Sequence, residues 1–176
     1  MSIGLSDAAL APHLLFRGMS AGERQELLGM FETKTFQPGA MILAEEESYQ
    51  ILWIVLQGTC RVVKKMKSGE DRELALIEAS GVFGEMSFFE NAPHSASVYA
   101  ATEAELAWIS REKYNVLTRV GSTAANKLAF NTISVLIQRV RKMDAFIGHL
   151  LDQNAAPTHH EEWKEFQSKL YTGWTF

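Results

Sequence analysis

The stretch 81–98, GVFGEMSFFENAPHSASV, sets the tightest limits on what this chain can fold into. Gly81 and Gly84 bracket Val82 and Phe83, an acid, Glu85, follows directly, and Met86 to Phe89 is a short apolar run. That order predicts a strand end, a tight turn and about one turn of helix. Glycine in the turn lets the backbone approach a ligand with no Cβ in the way. The first N–H groups of the short helix have no intrahelical partner, which makes them a seat for an anion. Asn91, Ala92 and Pro93 stop the helix, and Ser95 to Val98 resumes extended chain.

This pattern resembles the phosphate-binding cassette of the cyclic nucleotide-binding domain family, in which F-G-E and small or apolar residues precede N-x-P-R-(S/T/A)-A-(T/S)-V. Phe83, Gly84, Glu85, Asn91, Pro93, Ser95, Ala96, Ser97 and Val98 fit it. His94 departs from it, standing where the family has its phosphate-binding arginine. The resemblance implies that Glu85 accepts the ribose 2′-hydroxyl. It also implies that backbone N–H groups near Gly84, Glu85 and Met86, with Ser95 and Ala96, face the cyclic phosphate. The candidate ligand-binding residues are therefore Phe83, Gly84, Glu85, Met86, His94, Ser95 and Ala96, for cyclic AMP, cyclic GMP or a related phosphate ligand. Two readings of His94 stand side by side: a weaker phosphate ligand, since imidazolium donates two hydrogen bonds, or a solvated loop histidine.

Around this stretch the chain reads as short strands between turns. Ile51 to Leu56 is continuously apolar, as a strand buried on both faces would be. Gln57-Gly58 closes it, Thr59 to Lys65 follows, Ser68-Gly69 marks a hairpin, and Glu73 to Ile77 leads into the central stretch. Ala104 to Ile109 is the last strand, with Leu106 and Trp108 on one face. Such spacing predicts a mainly β fold with flanking helices, a jelly roll or cupin-like β-roll (a double-stranded β-helix). The resemblance extends over about residues 16–151. Phe36, Pro38 and Gly39 match the family's F-x-P-G entry, and Trp53 with Gly58 matches its Y-x-V-x-x-G. One family glycine, in the turn after the second extended run, is replaced by Glu46 or Glu47.

Helices flank the strands. The residues up to Arg17 read as a short helix or arm. Ser20 and Glu23 form a capping-box signature for a helix to about Phe31, with Leu27, Leu28, Met30 and Phe31 inward. Ser110 caps another helix that ends at Gly121, and Ser122 opens a longer one to about Leu151. Ala129, Ile133, Leu136, Val140, Met143, Ile147 and Leu150 repeat on this last helix at alternating spacings of four and three, a heptad seam. Leu128, Phe130, Val135 and Ile137 add a second apolar set around its first half, predicting burial there on more than one side. The expected arrangement is a domain over 1–151 that forms a homodimer through the helix Ala129–Leu150. Gln138 or Arg139 is placed to reach a base edge. The segment 152–176 is a tail whose Trp163, Phe166 and Leu170 share a helical face, a docking element for the body of the protein or for an unidentified protein partner.

Composition narrows the function classes. The net charge of −4, without a basic run, gives no nucleic-acid footprint, so DNA is not an expected partner. About 25 residues follow the long helix, too few for the winged helix-turn-helix of the family's transcription regulators. Cys60 is the single cysteine, which excludes an internal disulfide and an iron–sulfur cluster and reads as a core residue. The amino terminus lacks a signal-peptide pattern, and no apolar run is long enough for a membrane span, so a cytoplasmic protein is expected. Histidines do not cluster along the strands as a cupin metal site requires, and His159-His160 lies in the polar tail. With no catalytic constellation and no cofactor implied, the chain reads as a stand-alone sensor or regulatory domain, not an enzyme. The other reading is a ligand-free degenerate domain acting as a dimeric protein-interaction module.

Overall fold

The structure is a computed structural model and describes residues 5–11 and 13–153. The expectations for the tail beyond Gln153, including His159, His160 and the aromatic face, lie outside the described residues. The chain divides into two compact units, the first ending at Thr132 and the second beginning at Ile133.

The first unit is a β-roll. Eight described strands, β1 (Glu32–Phe36), β2 (Met41–Leu43), β3 (Ile51–Gln57), β4 (Cys60–Lys65), β5 (Asp71–Ile77), β6 (Val82–Phe83), β7 (Ser97–Ala100) and β8 (Ala104–Ser110), form two antiparallel sheets. Their orders are β1-β8-β3-β6 and β2-β7-β4-β5. One core cluster draws on both: Phe36, Trp53, Val55, Phe83, Ala104 and Leu106 from the first sheet, and Ile42, Leu43, Cys60, Val98 and Ala100 from the second. Alternation along β3 and β8 turns Leu52, Ile54, Ala107 and Ile109 to the opposite face, where they are also fully buried. This two-sided burial is why Ile51–Leu56 carries no polar alternation. Leu106 shares the cluster's face with Trp108, as expected. The β5 edge is exposed along nearly its whole length and carries Asp71, Arg72 and Glu73, charges that discourage pairing with another strand.

Helices cover the outer face. Helix α1 (Asp7–Leu10) and a 3-10 turn at Leu14–Phe16 form the short amino-terminal arm, tied to the helix that follows by the ion pair between Asp7 and Arg24. The capping box of α2 (Ala21–Leu28) forms in both directions, Glu23 N–H to Ser20 Oγ at 3.2 Å and Ser20 N–H to Glu23 Oε2 at 2.7 Å. The helix stops at Leu28, three residues before the expected Phe31, because Gly29 caps it and Met30 N–H turns back to the Leu27 carbonyl. Leu27 and Phe31 are buried, whereas Leu28 and Met30 are only half-buried.

After β8, Ser110 caps α4 (Arg111–Arg119), and α5 (Thr123–Gln153) follows. Within the first unit, Ala124, Ala125, Leu128 and Thr132 of α5 are buried. Asn131 Nδ2 donates to the carbonyls of Leu15 and Arg17 at 2.9 and 3.0 Å, and Lys127 Nζ reaches Glu23 at 2.8 Å. In the single chain the body buries one side of this first half. Phe130 is 70% exposed, because two residues beyond Leu128 a helix has turned about 200° away. In the second unit Ile133, Ile137, Val140, Met143 and Phe146 are all exposed in the single chain. Among the described residues no helix is long and apolar enough to cross a membrane.

Candidate functional site

The predicted strand–turn–helix is present. β6 ends at Phe83, Gly84 takes φ 78°, and α3 (Glu85–Glu90) begins at once. Two constraints fix glycine here. The left-handed conformation is costly for other residues, and a Cβ would collide with the carbonyl oxygen of Ile51 on β3. The turn therefore delivers Glu85 into the protein: its residue is 3% exposed. Phe83 is buried against Trp53, their rings stacked with centroids 6.1 Å apart. Met86, the next residue, is 53% exposed. Asn91, at φ 59°, ends the helix with its N–H on the Ser87 carbonyl.

The return segment is fastened to two places. His94 is 4% exposed, which rules out a solvated loop histidine. Its Nδ1 lies 2.7 Å from Ser87 Oγ on α3, and its ring meets Tyr49 edge-on at 4.5 Å between centroids. Its backbone exchanges two hydrogen bonds with the β2–β3 loop, Glu46 N–H to the His94 carbonyl and His94 N–H to the Glu47 carbonyl, both 3.0 Å. Burial lowers the imidazole pKa, opposed in part by the charge of Glu47, so the neutral ring is favoured. Nε2 is buried without a hydrogen-bond partner among the described residues. Of the two candidates for the missing family glycine, Glu46 takes a left-handed conformation, at φ 66°.

Ser95 is exposed, Ala96 is 9% exposed, and Ser97 Oγ accepts from Glu45 N–H at 3.0 Å. Lys64, on β4, donates to the Ser95 carbonyl at 2.5 Å and to Glu45 Oε1 at 2.7 Å. Glu45 Oε2 accepts from Lys65 N–H at 2.9 Å, and the Lys64 bond holds the Glu45 carboxyl below the usual carboxylate range. At the far end of α3, Arg111 donates to the Phe88 carbonyl at 3.3 Å, and its guanidinium lies over the rings of Phe88, Phe89 and Tyr114. Gln50 Nε2 donates to the same carbonyl at 3.0 Å.

A helix-led turn with a buried acid, closed by an extended return strand, is the cassette geometry, and residues 33–119, about half the chain, match the family model of the cyclic nucleotide-binding domain. The chain belongs to the cyclic nucleotide-binding domain family. It is 32% identical over 130 residues to the cyclic AMP receptor protein of Thermus thermophilus, covering 74% of this chain and 58% of that protein. The crystal structure of the Thermus thermophilus catabolite activator protein superposes with a TM-score of 0.68 at 30% identity, over 78% of this chain and 62% of that one. A cyclic nucleotide-binding domain from Methylobacillus flagellatus shares the fold, with a TM-score of 0.70 at 24% identity over 77% and 76% of the two chains. The chain thus spans about three-fifths of the length of its Thermus relatives.

Of the predicted cassette residues, Phe83 to Met86 lie together at the β6–α3 junction, and His94 is joined to them through Ser87. Ser95 and Ala96 lead from His94 into β7. Gln138 and Arg139 are exposed on α5 in the second unit. Sequence reading missed Ser87, Tyr49, Lys64, Glu45 and Arg111. The one usable signal was strand pairing: a cassette return strand beside β4 brings Val63 opposite Ser97 and so carries Lys64 to the Ser95–Ala96 end of the return segment. Cys60 is fully buried in the core and burial pushes its thiol up to about 11, so it is not a nucleophile. Among the described residues no group of His, Cys, Asp or Glu side chains could hold a metal ion.

Proposed function

We propose that this domain senses a cyclic nucleotide, or a closely related cyclic phosphate, at the cassette. The carrying observation is Glu85, an acid brought to 3% exposure at the first turn of α3 by a glycine that nothing else could replace. A carboxylate in that place matches a ribose hydroxyl, a neutral donor that needs an acceptor out of water. The N–H groups at the start of α3, with Ser95 and Ala96, then face the phosphate. Cyclic AMP is the first ligand to test, given the Thermus receptor's name. Titration calorimetry with cyclic AMP and cyclic GMP should give saturable binding, weakened about tenfold or more in Glu85→Ala. Absence of heat with both ligands, and of any thermal shift, refutes the proposal.

The exposed stripe on α5 supports pairing of two copies as part of the same reading. Ile133, Val140 and Met143 belong to the heptad seam and leave large apolar surface uncovered in the single chain. One observation favours the second reading, a ligand-free interaction module. His94 is buried and favoured neutral at the position where the family carries a cation.

A further inference from the structure

We propose that Lys64 supplies the positive charge that meets the phosphate at this cassette, in place of the arginine that His94 replaces. This rests on the ligand-binding reading above and adds a specificity residue to it. A cyclic phosphate is an anion, and a site that receives it out of water needs a charge-assisted donor. His94 is poorly suited to that task. It is buried, its Nδ1 is committed to Ser87, and its own ring is held by Tyr49. Arg111, which also bonds to the cassette, is spread over three aromatic rings at the far end of α3.

Lys64 has the required placement. Its ammonium is 2.5 Å from the carbonyl of Ser95, the residue next to His94 and itself a candidate phosphate contact. An ammonium carries three donors, and two are engaged, one by Ser95 and one by Glu45 at 2.7 Å. The third can serve a ligand oxygen without breaking either bond. The stem is fixed by β4, which pairs with β7 at Val63–Ser97, while the side chain stays 43% exposed and is open to an entering ligand. Glu45, only 17% exposed, orients the ammonium and is itself held by Lys65 N–H. Its carboxylate also offsets part of the charge, which leaves this cassette with a weaker grip on phosphate than a free cation would give.

Calorimetry with cyclic AMP on wild type and three variants tests this. Relative to wild type, Lys64→Met should lose about tenfold or more in affinity, and Lys64→Arg should stay within a few-fold. Glu45→Gln keeps the hydrogen-bond shape but removes the offsetting charge, so it should bind several-fold tighter. A merely structural clasp predicts the opposite for Glu45→Gln, namely weaker binding and a lower melting temperature. If Lys64→Met does not fold, the Glu45→Gln result decides alone. Unchanged affinity in Lys64→Met, or weaker binding in Glu45→Gln, overturns the role of Lys64 and leaves the ligand-binding reading standing. Wild type that binds no cyclic AMP or cyclic GMP overturns both.

Discussion

Ser87 Oγ lies 2.7 Å from Nδ1 of His94, and both residues are almost fully buried. This bond joins the short helix that presents Glu85 to the segment that leads into β7. The histidine is therefore a strut of the cassette as well as a substitution within it. Ser87→Ala would leave a second ring nitrogen of His94 buried without a partner, at a cost of about 1–3 kcal/mol. Urea denaturation at neutral pH should show that loss. A change below about 0.5 kcal/mol would mean that the pair is not formed in solution.

Glu46 holds a left-handed turn at φ 66°, a conformation that favours glycine. The two hydrogen bonds between the His94 backbone and Glu46 and Glu47 keep it there. A non-glycine residue in this conformation costs roughly 1–2 kcal/mol, while glycine returns part of that through the entropy of the unfolded chain. Glu46→Gly should therefore stabilise the domain by about 0.5–1 kcal/mol. Its side chain is exposed, so no contact is sacrificed. A lower melting temperature in calorimetry would show that the turn relaxes when the glutamate is present.

The turn and helix of the cassette were legible because their grammar is local: glycine at a positive φ, an acid at the first helical residue, and Asn91 and Pro93 as a stop. The two-sided burial of β3 was legible for a similar reason, an unbroken apolar run. The environment of His94 was not. Loop composition around Pro93 suggested solvent, whereas Tyr49 and Ser87, 45 and 7 residues away, enclose the ring. Lys64 was hidden the same way, since its relation to Ser95 exists only once β4 pairs with β7. On α5 the heptad spacing was plain, but the face that the body buries, through Ala124, Leu128 and Thr132, begins before the seam and is marked by small residues as much as by large ones.

The seam makes a separate test. Val140 and Met143 are 51% and 53% exposed in the single chain, so glutamates there would cost little unless a partner covers them. Sedimentation at tens of micromolar should give a dimer for wild type and a monomer for Val140→Glu with Met143→Glu, with unchanged helix content in both. A wild-type monomer refutes dimerisation through α5. A dimer that survives the double substitution places the interface elsewhere.

The last prediction concerns acid sensitivity and turns on His13. Its Nδ1 accepts from Leu15 N–H at 3.2 Å, capping the 3-10 turn, and the residue is 3% exposed. Burial pushes its pKa down to about 4, partly offset by the Ser80 backbone. An unfolded histidine titrates near 6.5, so between those values the unfolded chain holds a proton that the native chain refuses. The stabilisation is fully present above about pH 6.5 and is lost as pH falls toward 4, with no further change below that. From pH 7 to pH 5 this amounts to roughly 2 kcal/mol. His94, whose pKa burial also lowers, adds a loss of the same sign. His13→Asn retains a capping acceptor and cannot titrate, so it isolates one histidine from the other. Its stability at pH 7 can differ from wild type through lost packing, but its decline between pH 7 and pH 5 should be about 2 kcal/mol shallower. Parallel declines in urea denaturation at the two pH values would show that His13 is protonated in the native state without penalty.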